Sequence, residues 1–171
     1  RSSCSEKTVR LFNFVLIALF SCNSFSSNLD LINNILLSDK SVFTQTSLNE
    51  MTNSIQVSEG KISRINNTIF INISSPFKEK YSITDSYIEI NDLEFNQIKT
   101  IEIETLPNKS IINILKLGFK KDNISEISNG SLALDIDERL LIIKLISDDS
   151  FSIDYLDNLN ILNTILFKEL K

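Results

Sequence analysis

Carboxylates are the residues of this chain whose types could do chemistry. Asp135, Asp137 and Glu138 cluster, and Asp148 stands beside Asp149. Two carboxyl groups hydrolyse a glycoside only across a cleft, about 5 to 9 Å apart. Both clusters instead fall at turns between strand-like segments, where acids are solvated and neither calcium binding nor catalysis is expected. The chain has no histidine, so His-based triads, His–metal sites and imidazole acid–base work drop out. Cys4 and Cys22 lie in or beside an N-terminal apolar segment, which leaves the remainder without disulfide or thiol chemistry. No metal, no cofactor and no enzymatic activity are expected. What remains is the capacity to bind through carbon.

The elements that would present that carbon alternate as strands do. In Ile69-Phe70-Ile71-Asn72-Ile73-Ser74 three isoleucines share a face, because successive strand side chains point oppositely. Ile88 with Ile90, and Ile101 with Ile103, repeat the pattern, while Glu89, Asn91, Glu102 and Glu104 take the other face. One face is wet and one apolar, as an antiparallel sheet allows. Strands are expected over residues 42–47, 55–59, 61–65, 68–74, 79–84, 87–91 and 97–105, with Asn66-Asn67 as a turn. Before them Leu29, Ile32, Ile35 and Leu36 recur at helical spacing, and that helix ends near Ser38-Asp39-Lys40.

Between Pro107 and Gly118 the period changes to that of a helix. Ile111, Ile112, Ile114 and Leu115 form a stripe, with Asn108 or Ser110 as N-cap and Gly118 as the stop. Strands resume over 124–128, 131–136, 140–147 and 151–156, and residues 159–167 fit either a last strand or a helix. No repeat or linker interrupts residues 27–171, which read as a single domain.

Three cations and one acid in residues 1–10 precede an apolar run from Leu11 to Phe20, followed by Ser21, Ser24 and Ser26. Residues 1–26 therefore read as a secretory signal peptide, or else as a buried N-terminal helix; the run is short of the roughly 20 apolar residues a bilayer span needs. Leu19-Phe20-Ser21-Cys22 can also be read as a lipobox that would acylate Cys22, although Phe20 is bulky for that position. From Ser27 onward 14 cations face 21 acids, a net charge of −7 with no basic stripe, which is wrong for binding nucleic acid or anionic lipid headgroups electrostatically and excludes nucleic acid as a partner.

Several short matches then fall in order. Phe43-Thr44-Gln45-Thr46 resembles the Phe-x-Gln signature of the periplasmic outer-membrane lipoprotein carrier family, LolA. Gly60, the strand Ile69-x-Ile71-x-Ile73 before Pro76, the turn Thr84-Asp85-Ser86, and Asn91-Asp92 followed by Gln97-Ile98 stand near the spacings of that family's later motifs. Pro107 with Ile111, Ile112, Ile114 and Leu115 looks like its Pro-x-x-Leu-Leu lid helix. The resemblance covers roughly residues 29–115. This chain departs from it at the aromatic positions, now mostly Ile, at the turn glycine, now Ser86, and at the family's Arg-Pro, which falls on Ile65-Asn66, one residue after Arg64.

The resemblance implies a mainly β fold with a few helices: an incomplete, strongly bent antiparallel β-barrel whose concave face is capped by short α-helices. Acyl chains of lipoproteins would enter between sheet and lid. Burial is worth about 0.8 kcal/mol per CH₂, so such chains cannot cross water unescorted. The implied lipid-binding residues are Ile32, Ile35 and Leu36 on the first helix, Ile69, Ile71, Ile73, Ile88, Ile90, Ile101 and Ile103 on the strands, and Ile111, Ile112 and Leu115 on the lid. Arg64 is the lid-latch candidate. The implied protein is a periplasmic monomer that shuttles acylated lipoproteins from the inner to the outer membrane. Its partners would be an inner-membrane lipoprotein-releasing ABC transporter and an outer-membrane lipoprotein receptor. Two other readings stay open: a receptor or other lipid-binding envelope protein anchored through Cys22, and a secreted β-rich enzyme or structural module using surface carboxylates. The same isoleucines also fit an ordinary core.

Overall fold

The period-two segments pair into one antiparallel sheet of eleven strands. The computed structural model describes residues 28–49, 51–127, 130–136 and 139–171. The segment read as a signal peptide, with Cys4 and Cys22, lies outside them, as do Asp137 and Glu138. In chain order come helix α1 (residues 28–36), β1 (Lys40–Asn49), β2 (Ser54–Ile65), β3 (Thr68–Ser75), β4 (Glu79–Ile83), β5 (Tyr87–Asp92) and β6 (Gln97–Glu102). Helix α2 (Ser110–Leu117), β7 (Ile124–Glu126), β8 (Leu132–Ile136), β9 (Arg139–Ser147), β10 (Ser150–Leu156) and β11 (Leu162–Glu169) follow.

Across the sheet the order is β6-β5-β4-β3-β2-β1-β11-β10-β9-β8-β7. Each strand neighbours the next in sequence, except that β1 pairs with β11 from Ser41↔Glu169 to Leu48↔Leu162. The first and last strands meet in the middle. Strands β6 and β7 are the two edges and do not pair, so the sheet stays open, an incomplete barrel. The segment carrying α2 crosses from one edge to the other.

Asparagine makes many of the turns in a chain with three glycines. Asn66 and Asn67 have φ of 50° and 63°, which is what a two-residue turn between β2 and β3 requires. Asn53, Asn96 and Asn160 also hold positive φ at loop tips, where a short polar side chain tolerates the left-handed region. Side-chain oxygens close other turns. Asp92 Oδ1 accepts the backbone N–H groups of Glu94 and Phe95, and Thr84 Oγ1 those of Ser86 and Tyr87.

The core sits between α1 and the concave face. Leu29, Ile32, Ile35 and Leu36 are buried in one cluster with Ile62, Ile69 and Ile83 of one wing and Leu132, Ile143 and Ile153 of the other. Since both wings touch the same helix, the sheet must curl round it. The cross-strand partners Phe43, Phe167 and Phe151 form a column from β1 to β10. The Phe151 and Phe167 rings stack at 4.9 Å, and Phe43 lies 6.3 Å from Phe167. Gly60 pairs with Phe43 on the other side, and a Cβ there would meet the Phe43 ring at 2.5 Å. The glycine leaves room for the ring, and β2 runs unbroken through it where two short strands were expected.

Other expectations shift at element ends. Residues 97–105 are strand only to Glu102 and then a 3-10 turn, Ile103–Thr105. The ambiguous C-terminal segment is a strand, its alternation held by pairing on both sides. Neither Asn108 nor Ser110 caps α2 as its N-cap residue; Lys109 holds that position, and Asn108 Oδ1 accepts the Ser110 N–H at 2.8 Å.

Phe151→Ala removes a fully buried ring from the column. It is expected to lower the unfolding free energy by about 3–5 kcal/mol, read from the urea midpoint. A loss under about 1 kcal/mol would show that the column does not hold the two wings together.

Candidate functional site

Beneath α2 the concave face is not filled. A cavity of about 190 Å³ lies between the helix and strands β8 to β11, walled by Ile111, Ile114, Leu115, Leu141, Ile153 and Ile165. Leu36 of α1, Phe119, Ile136, Tyr155 and Phe167 complete the apolar lining, and Arg139 is its one charged side chain among the described residues. An apolar cavity takes an apolar guest; an enclosed one of about 150 Å³ accepts benzene.

Helix α2 is a lightly held roof. Of its residues Ile112 alone is buried, while Ile111 and Leu117 are more than half exposed. Polar contacts fix its C-terminal end. Lys116 Nζ donates to the Thr84 carbonyl at 2.5 Å and to Asp85 Oδ1 at 2.9 Å, in the turn between β4 and β5. Gly118 ends the helix with φ of 78°, as expected, and a Cβ there would meet Asn33 Oδ1 at 2.6 Å. Asn33 on α1 reads the next peptide as a strand would: its Oδ1 accepts the Phe119 N–H at 2.8 Å and its Nδ2 donates to the Phe119 carbonyl at 3.0 Å. Phe119 then lies edge-on to Phe151, so the end of the roof is seated in the ring column.

Arg64 reaches α1 rather than α2. Its Nη2 donates to the Leu36 carbonyl at 2.6 Å, one of the carbonyls a helix C-terminus leaves unpaired. Burial lowers the guanidinium pKa and nearby Asp39 opposes the shift, while Nε is buried without a partner. Arg64 therefore pins the helix on which Asn33 holds the roof.

The residues named from sequence divide by location. Leu36, Ile111 and Leu115 line the cavity. Ile32, Ile35, Ile69, Ile103 and Ile112 are buried in the core cluster, and Ile71 and Ile88 pack against it half-buried. Ile73, Ile90 and Ile101 are half-buried on the β3–β6 wing. The β9–β11 wall and Arg139 were not singled out from sequence, although Ile153, Tyr155, Leu141 and Ile165 alternate on their strands as clearly as Ile69 and Ile71 do. Of the acids, Asp135 and Asp148 are exposed, and Asp149 accepts a hydrogen bond from Ser147 that lowers its pKa. No cluster of three metal-ligating residues occurs among the described residues.

Fold and cavity together define a lidded, open half-barrel with an apolar interior. No family model matches the chain, and no curated protein does. Solved structures similar to the chain include the following two. One is a LolA superfamily protein from Nitrosomonas europaea, 9% identical, with 85% of this chain and 93% of that one covered at a TM-score of 0.46. The other is an uncharacterized conserved protein from Thermus thermophilus, 14% identical, with 85% and 87% covered at a TM-score of 0.47.

Asn33→Ala strips both partners from the Phe119 peptide and is expected to cost about 1–3 kcal/mol. Hydrogen exchange should rise selectively at the end of α2; uniform exchange would mean that Asn33 does not hold the roof. On the other wing, burial and the hydrogen bond to Glu79 raise the Tyr81 pKa to about 12. A raised pKa leaves stability intact below the unfolded value, about 10, and removes it as pH rises towards 12. Tyr81→Phe should abolish that part of the alkaline loss in urea titrations at pH 9 and 11.

Proposed function

We propose that this chain is a carrier that binds the acyl chains of lipoproteins beneath α2 and escorts them through the periplasm from the inner to the outer membrane. The observation that carries the reading is the carbon-lined cavity of about 190 Å³ under a helix with a single buried residue. Ligand pockets of ordinary size hold about 300–1,000 Å³, so the closed form has room for part of one chain. A lipoprotein with several chains needs the roof lifted, which would add the half-buried isoleucines of β3 and β5 to the binding face.

Magnitudes favour such opening. Re-exposing Ile112 costs about 1.5–3 kcal/mol, and burying a chain returns about 0.8 kcal/mol per CH₂. About four methylenes offset the re-exposure of Ile112, and a longer stretch of chain offsets that of the half-buried Ile114 and Leu115 as well. The Lys116 contacts end on a turn whose Asp85 is largely exposed, so the ion pair adds little. Direction needs no energy source within the carrier. An outer-membrane receptor that binds about tenfold tighter, roughly 1.4 kcal/mol, draws the cargo onward after an inner-membrane lipoprotein-releasing transporter supplies it.

Native mass spectrometry with an acylated lipoprotein and its deacylated form tests the reading: an adduct is expected with the first alone. Equal adducts, or none, would overturn it. Leu115→Asp places a carboxylate in the cavity wall and is expected to weaken that adduct at least tenfold with the circular dichroism spectrum unchanged. Arg64→Leu removes the tie to α1 and so favours the open, loaded form. It should load normally and release to the receptor more slowly; wild-type release would remove Arg64 from the latch.

A further inference from the structure

We propose that the cavity also takes a free single-chain amphiphile ending in an oxyanion, the part of its tail next to the head in the apolar cavity and the head on Arg139, which sets the specificity. The rest of a long tail needs α2 lifted, as a lipoprotein chain does. The proposal rests on the carrier reading for the use of this cavity and adds a ligand class to it. Lipoprotein acyl groups are linked through esters and amides and bring no terminal charge to the site.

Arg139 opens β9 opposite Ile136, so its side chain shares the concave face with the cavity wall. Arg139 and Tyr155 line the cavity and also the adjoining surface cleft with Asp154, Asp157, Asn158 and Asn160. The guanidinium therefore stands where carbon gives way to water, half-buried. It donates once among the described residues, from Nη2 to Asn158 Oδ1 at 3.0 Å, out of five N–H donors.

The acids of the cleft hydrogen-bond to other groups, and Asp157 also feels the Arg139 charge, one of the causes that lower its pKa. Asp154 accepts Lys144 Nζ at 2.7 Å and the Thr164 hydroxyl at 2.8 Å. Asp157 Oδ1 accepts the backbone N–H groups of Leu159 and Ile161 at 2.8 and 3.0 Å. Neither of these two acids forms a salt bridge with Arg139. A planar fork at the mouth of a carbon-lined cavity matches a carboxylate or phosphate bidentately. A neutral head of equal chain length forgoes those bonds. The acidic surface repels anions at a distance, but screening confines that effect to about 10 Å in ordinary salt, and the contact pair decides affinity.

Isothermal titration of the folded chain with palmitate, monoacyl lysophosphatidate and hexadecanol, each below its aggregation threshold, tests the assignment. Palmitate or lysophosphatidate should bind at least tenfold tighter than hexadecanol, and whichever leads tells a carboxylate from a phosphate head. Arg139→Gln should bring both anions to the alcohol's level and leave the alcohol unchanged, while Arg139→Lys keeps part of the preference. Equal wild-type affinities for anion and alcohol would overturn the role of Arg139. If that variant fails to fold, the wild-type comparison decides alone. Lipoprotein binding without any single-chain binding would overturn this proposal and spare the carrier; no binding of either would remove both.

Discussion

One side of α1, buried against the concave face of the sheet, is the constraint on which the rest of the structure depends. Ile32 is wholly buried and Ile35 and Leu36 nearly so, in contact with a core drawn from both wings. A sheet with one apolar face must cover it, and here a helix covers the middle instead of the sheet closing on itself. With α1 inside, β6 and β7 remain apart, and the chain must pass between them over the concave side. Helix α2 lies on that crossing. The roof, the cavity and the open edges are three consequences of one buried helix.

The division between apolar and polar holding follows from this. Side chains of α1 are locked by burial, which resists any small displacement. Those of α2 are not, and its position is set by Lys116 on the Thr84 carbonyl and by Asn33 on the Phe119 peptide. The first bond ends on the turn between β4 and β5 and the second comes from the buried helix α1, so the position of α2 is defined without a large buried area. Arg64 extends the same logic by tying α1 to β2 through the Leu36 carbonyl. A few directed bonds, rather than a large buried area, hold this roof over a carbon-lined space.

Much of this was legible in sequence. Alternation at Ile69, Ile71 and Ile73 placed their strand and face, the Asn66-Asn67 turn was plain, and the stripe from Ile111 to Leu115 with Gly118 behind it located α2. The site was less so. The family resemblance points to the isoleucines of β3 to β6, whereas the cavity is walled mainly by β8 to β11. Nothing local separates Ile153 and Ile165 from Ile71 and Ile88, since all are apolar residues on alternating strands. Which of them meets packed side chains and which meets a void depends on where α2 lies. The Phe43–Phe167–Phe151 column joins residues more than a hundred positions apart, and Gly60 beneath Phe43 explains a glycine that spacing alone had only marked.

Local patterns by themselves determined that this chain forms a mainly β sheet with one greasy face and two amphipathic helices, and that it has no histidine chemistry. They do so because side-chain period and turn chemistry act over a few residues. The tertiary structure alone decided that β1 and β11 pair, that the barrel stays open, and that Asn33 and Arg64 hold the helices. It also placed one arginine at the mouth of an apolar cavity. Those features depend on groups distant in sequence meeting at hydrogen-bonding or packing distance, and no local periodicity encodes such a meeting.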